Sequence, residues 1–205
     1  MSYKKYFQKI LTKHFPQKGK WLQTQIDTAF EVIQKDIGFS IKPENPMDKR
    51  MQIAGYFLAT IKVLDNEQLN YEDIRNIVIE IANEYVRPKN KVHAFLKTLP
   101  VKLMGTMFSD VLLNYLKKKV AIKGHPDGFR VNMLTDKAET LGFGYGFDIM
   151  ECGICKLFKK HNYQKYTPIL CEVDHITSNL AGLTLIRTGT IANGATTCDF
   201  RFKKQ

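Results

Sequence analysis

All four cysteines of this chain, Cys152, Cys155, Cys171 and Cys198, fall in its last quarter, and none precedes Cys152. A thiolate is both a strong nucleophile and a metal ligand, so thiols confined to one region are where chemistry is to be sought. Cys171 precedes Asp174 and His175 by three and four residues, a spacing that puts all three on one face of a helix. There a histidine draws a thiol toward its thiolate, and a carboxylate accepts a proton or orients a base. Arg187 stands between Ile186 and Thr188. On a strand its guanidinium could grip a substrate carboxylate through a fork of hydrogen bonds, or pair across the sheet with Asp199. In the run Thr196-Thr197-Cys198-Asp199-Phe200-Arg201, alternation sends Cys198, Phe200 and Phe202 to one face and Asp199, Arg201 and Lys203 to the other.

The same residue types admit other uses. Cys152-Gly-Ile-Cys155 has the two-residue gap of a zinc knuckle, and Cys171 with Cys198 would complete four thiolates. Structural zinc sites use two close pairs, whereas residues 172–197 separate Cys171 from Cys198. A thioredoxin-like redox pair needs a strand before the motif and a cis-proline, and that context is missing. Taken alone, Cys171 also fits a small buried hydrophobe and Asp174 a solvated acid.

The elements that must position these residues follow from periodicity. Residues 3–15 repeat apolar side chains at helical spacing until Pro16, and residues 18–37 do so with Trp21, Leu22, Ile26, Phe30 and Ile33. A third helix is read over residues 45–65, with Met51, Ala54, Phe57, Leu58, Ile61 and Leu64 on one side, and a fourth runs from Tyr71 to Tyr85 with Asn70 as its N-cap. Residues 99–122 carry one broad apolar face, Leu103, Met104, Met107, Phe108, Val111, Leu112, Tyr115 and Leu116; such a Met-rich stripe could line a ligand pocket or touch a membrane, but it reads more readily as a buried core helix with Lys102 and Asp110 on its wet side. After the connection at 123–129 the segments "FRVNMLTD" and "GFGYGFDIME" alternate as strands. Gly142, Gly144 and Gly146 lack the helix start of a phosphate-binding loop and suit close approach of another backbone or a ligand. Short helices are expected over "CGICKLFKKH" and from Pro168 to Ala181, and then a hairpin turning at Ala192-Asn193-Gly194-Ala195. The fold class is α+β: a helical region over residues 1–122, then a cysteine-containing unit over 123–205 with a small, mainly antiparallel sheet. Together the two could form one compact domain.

Composition sets the outer bounds. With 205 residues, 44% hydrophobic and 25% charged, the chain can bury a core and is not disordered. The first residues lack an unbroken apolar stretch of signal-peptide length, and no segment approaches 18 apolar residues, so a cytoplasmic location is expected. The net charge of +11 spreads over helix faces without a nucleic-acid-binding motif. Neither nucleic acid nor membrane is expected as a partner, and no cofactor; a small anionic molecule is. No motif bears on oligomeric state.

Taken together, "ECGICKLFKKHN" and "LCEVDHITSNLAGLTLIRTGTIANGATTCDFRF" resemble the L-2-amino-thiazoline-4-carboxylic acid hydrolase family over the last 60 or so residues. The family pattern falls on Cys152, Cys171, Asp174, Arg187, Thr188, Thr190, Gly194, Cys198, Asp199, Phe200 and Arg201, while Cys155 and His175 stand outside it. The resemblance implies hydrolytic opening of a cyclic amidine, 2-aminothiazoline-4-carboxylate, toward a carbamoyl-cysteine. In that reading Cys171 is nucleophile or proton donor, Asp174 the general base and Arg187 the carboxylate anchor. Cys198 shares the catalytic site and, with Asp199, forms its second wall; Thr188, Thr190, Arg201 and Cys152 complete the substrate's surroundings. The other functions open to such a frame are a small-molecule sensor without chemistry and a zinc-stabilised interaction module on Cys152, Cys155, Cys171 and Cys198.

Overall fold

Four amphipathic segments at the start of the chain become four packed helices in the structure, a computed structural model that describes residues 3–104 and 106–205, the side chains of Pro100, Met107 and Phe108 lying outside that description. The helices are α1 (Lys4–His14), α2 (Gly19–Asp36), α3 (Arg50–Asn66) and α4 (Tyr71–Val86). Helix α1 buries Phe7, Ile10 and Leu11, and α2 buries Leu22, Ile26, Phe30 and Ile33, each along one stripe. Helix α3 is buried nearly all round, from Met51 to Leu64, because α2 and α4 cover it on different sides. Its Gly55 permits the α2 contact: a β-carbon there would lie 2.6 Å from Ile37 Cδ1. The Asn70 side chain accepts a hydrogen bond from Asp73 N at 2.9 Å and starts α4, as its type and position predicted.

The segment expected to form one buried helix over 99–122 is different. Two helices, α5 (Lys91–Leu103) and α6 (Met107–Val120), meet there, with Asn90 and Thr106 as N-caps. Their apolar stripes face outward: Leu103, Val111, Leu112, Tyr115 and Leu116 are exposed, Val111 by 71%. Among the described residues, the buried side chains of these helices are Val101 on α5 and Ser109 and Leu113 on α6. The expectations for the Met107 and Phe108 side chains lie outside the described residues.

A four-stranded antiparallel sheet follows, in the order β1-β2-β4-β3, from β1 (Arg130–Leu134), β2 (Gly146–Glu151), β3 (Leu183–Ile186) and β4 (Cys198–Lys204). Phe147 pairs with Phe200 and Ile149 with Cys198, so Cys198, Phe200 and Phe202 share a buried face as alternation required. Gly142 and Gly144 lie before β2, not in it, at φ of +84° and +76°. The left-handed region explains those two glycines; only Gly146 serves close approach, since a β-carbon there would lie 2.8 Å from Phe200 O. Helices α7 (Gly153–Lys160) and α8 (Thr167–Leu180) pack against α3 and α4 respectively. The Arg75 guanidinium donates to both carboxylate oxygens of Glu172, with Nε 2.9 Å from Oε1, and clamps α4 to α8. Core side chains from both halves form one cluster, from Phe7 and Leu58 to Phe158, Ile169 and Phe200. The architecture is α+β, and among the described residues no helix is long and apolar enough to cross a membrane.

Buried Asp48 ties the halves together, a role that its sequence context did not signal. Its carboxylate accepts from Phe129 N at 2.8 Å and from His125 N at 3.4 Å, which fixes the chain entering β1. Gly124 and Gly128 leave room for that carboxylate; a β-carbon on Gly128 would lie 2.3 Å from Asp48 Oδ1.

Candidate active site

Helices α7 and α8, strands β2 and β4, the start of α3 and the loop after β3 converge on one cavity. Arg50, Phe129, Ile149, Cys152, Ile154, Thr167, Leu170, Cys171, Asp174, Arg187, Cys198 and Phe200 line it. Its volume is about 40 Å³, room for water-sized groups and well below the ~300 Å³ at which small-molecule sites begin. Six of the residues singled out by sequence thus meet at one place: Cys152, Cys171, Asp174, Arg187, Cys198 and Phe200.

Each arrives for a local reason. Cys152 is the N-cap of α7, in extended conformation at φ −106° and ψ 112°, so the short helix expected over this segment begins at the next residue. The neighbouring Cys155 thiol, and to a lesser degree the backbone N–H groups of Cys155 and Ile154, outweigh burial and hold its thiol below the ordinary range. Cys155 is pushed up by the Cys152 thiol beside it and by burial. On α8, Cys171 and Asp174 share a face as their spacing required. Burial, reinforced by the Asp174 carboxylate, pushes the Cys171 thiol up to about 12. Burial also raises Asp174, with the charges of Arg50 and Arg187 opposing it. Cys198 is buried on β4 and accepts from Ile191 N at 3.2 Å; burial raises its thiol too.

Arg187 lies one residue beyond β3, not within a strand, and does not pair with Asp199. Its Nη1 donates to Asp174 Oδ2 at 2.9 Å and its Nη2 to Cys171 O at 2.9 Å, while its guanidinium carbon sits 4.9 Å from the centre of the Phe200 ring. The side chain is 6% exposed against 28% for Asp174. Both ends of its fork are thereby taken, and the arginine orients the aspartate.

Thr188, Thr190, Asp199 and Arg201 do not line the cavity; they build its frame. The Asp199 carboxylate accepts from Thr188 N at 3.0 Å, Thr188 Oγ1 at 2.8 Å and Gly189 N at 2.9 Å. Burial would raise that carboxyl, but these donors bring it below its usual value. Thr190 caps a short turn of helix by accepting from Asn193 N at 3.2 Å, and Gly194 closes that turn at φ +90°. Arg201 binds Glu139 O and Asp148 Oδ1, each at 2.8 Å, on the side of β4 away from the cavity. Arg50, at the start of α3, was not anticipated. Exposed, it reaches the cavity and makes no ion pair or side-chain hydrogen bond among the described residues. No sequence signal marked it, since it belongs to a helix far from the cysteines along the chain.

The four thiols do not form a metal centre in this geometry: among the described residues no three of His, Cys, Asp and Glu are placed to hold an ion. No curated protein and no solved structure matches the chain. The model of one family, L-2-amino-thiazoline-4-carboxylic acid hydrolase, matches residues 49–202, a span that begins just before Arg50 and takes in the whole cavity. This chain belongs to the L-2-amino-thiazoline-4-carboxylic acid hydrolase family.

Proposed function

We propose that this protein hydrolyses a small cyclic amidine bearing a carboxylate, of the 2-aminothiazoline-4-carboxylate type, in the cavity between α7, α8 and the sheet. The observation that carries the reading is the convergence there of one depressed thiol, one raised carboxyl and one guanidinium, that of Arg50, without an ion pair among the described residues.

The substrate carbon to be attacked lies between the ring sulfur and nitrogen. Cys152, the thiol nearest to its thiolate at neutral pH, adds to that carbon and expels the ring sulfur. Asp174 then takes a proton from a water, whose oxygen adds to the same carbon as Cys152 leaves. At the end the water's oxygen is on the carbon, and its two protons are on the former ring sulfur and ring nitrogen. A carboxyl raised by burial is a stronger base than an ordinary aspartate, which suits that task. Cys171 and Cys198, held protonated, wall the cavity as neutral S–H groups. Arg50, which reaches the cavity, anchors the substrate carboxylate, while Arg187 keeps Asp174 in place.

Steady-state turnover of L-2-aminothiazoline-4-carboxylate to carbamoyl-cysteine tests the reading. Asp174→Asn should reduce kcat by about a thousandfold, as losing a general base does, in protein that stays folded. Arg50→Gln should raise KM at least tenfold with a smaller change in kcat. Absence of turnover in folded wild-type protein would remove the reading; unchanged KM in Arg50→Gln would remove Arg50 from it.

A further inference from the structure

The outward stripes of α5 and α6 have no task in the cavity. Nine of the fifteen exposed large apolar side chains among the described residues fall within residues 92–122. On α5, Val92, Phe95 and Leu96 recur at helical spacing on the side away from buried Val101; on α6, Val111, Leu112 and Tyr115 do the same opposite Leu113. A stripe of this size left in water marks a binding surface. We propose that α5 and α6 dock this protein on an anionic phospholipid surface, lying in the headgroup layer with their apolar stripes turned to the acyl boundary.

Charge selects the occupant. Residues 87–123 hold nine Lys or Arg and a single acid, Asp110. A second copy of the chain joined through the same faces would set one basic field against another. A nucleic acid would meet the lysines but leave valine and leucine side chains without a partner, since its binding surfaces rely on stacking rings. An anionic bilayer satisfies both: basic side chains reach phosphate headgroups while aliphatic ones enter the boundary below. The lysines are already arranged for this. Lys102 Nζ folds over the Phe95 ring at 5.1 Å and Lys119 Nζ over the Tyr115 ring at 5.6 Å, long stems lying along apolar neighbours with the charge at the end. Lys117, Lys118 and Lys119 follow one another in the last turn of α6. Each helix is too short to cross a bilayer, so the contact is with one surface. The docking surface departs from the expectation, drawn from sequence, of no membrane partner.

Co-sedimentation of the full chain with vesicles tests this, independently of any turnover. The protein should pellet with phosphatidylcholine vesicles containing phosphatidylglycerol and stay in solution with phosphatidylcholine alone, and added salt should release it. Changing Lys117, Lys118 and Lys119 together to Glu should lower the partition coefficient by about a hundredfold or more. Val111→Ser with Leu112→Ser should also weaken it, both changes being at exposed positions, and a thermal melt would check that each variant is folded. Three results would overturn the proposal: no association, association indifferent to phosphatidylglycerol, or a solution dimer that the same substitutions dissociate.

Discussion

Cys152 and Cys171 bring the same functional group to one cavity, and their surroundings shift it in opposite directions. The difference lies in surroundings: Cys152 stands at the start of α7 beside the Cys155 thiol and the backbone N–H groups of the first turn, whereas Cys171 is buried and faces its own helix's carboxylate. Asp174 carries the pH dependence. Its folded carboxyl titrates above the ordinary aspartate value of about 4 because burial penalises its charge. The base form is the active one, so kcat should rise as pH increases through that raised value, and the acidic limb of the profile should lie above pH ~4. A limb at the ordinary aspartate value would deny the carboxyl its place in the cavity. The thiols, Asp174 and Arg187 were legible because their types and spacing are rare together. Arg187's partner was not, since strand alternation was carried one residue past the end of β3, where the chain turns and swings the guanidinium back onto α8. Arg50 was invisible for a different reason: only tertiary packing brings the start of α3 to the cysteines.

At the scale of elements, the helices declared themselves through period and caps, and their packing followed. Periodicity states that a helix has an apolar face; it does not state what covers that face. That is why the 99–122 stripe read as core and is instead exposed on α5 and α6. The junction between the helices and β1 rests on one buried carboxylate. Asp48→Ala would strip Phe129 N of its acceptor at 2.8 Å, an orphaned buried donor that costs about 2 kcal/mol. In a chain of this length that loss should lower Tm by roughly 5 °C, measured by calorimetry. A Tm within a degree of wild type would mean that Asp48 does not hold the junction. Phe129 lines the cavity, so the same variant should lose activity before it unfolds.

For the molecule as a whole, the cavity depends on both halves of the chain. Phe158, Tyr166 and Ile169, all buried, belong to the sheet half yet join the cluster built on α3 and α4. Tyr71 stacks on Tyr166 with ring centres 5.4 Å apart, and Arg75 clamps Glu172 across the same seam. Residues 123–205 alone would expose those side chains and lose Arg50. Expressed by itself, that segment should show no cooperative thermal transition; a sharp transition with retained turnover would mean that the helical half is dispensable.

The central claim is that Cys152 attacks the substrate carbon. Acid-quenching the wild-type enzyme during steady-state turnover and measuring its intact mass tests this most directly. The account predicts an adduct of one substrate molecule, mapped to Cys152, and absent in Cys152→Ser together with turnover. Undiminished turnover in Cys152→Ser, or an adduct mapped to Cys171, would contradict it.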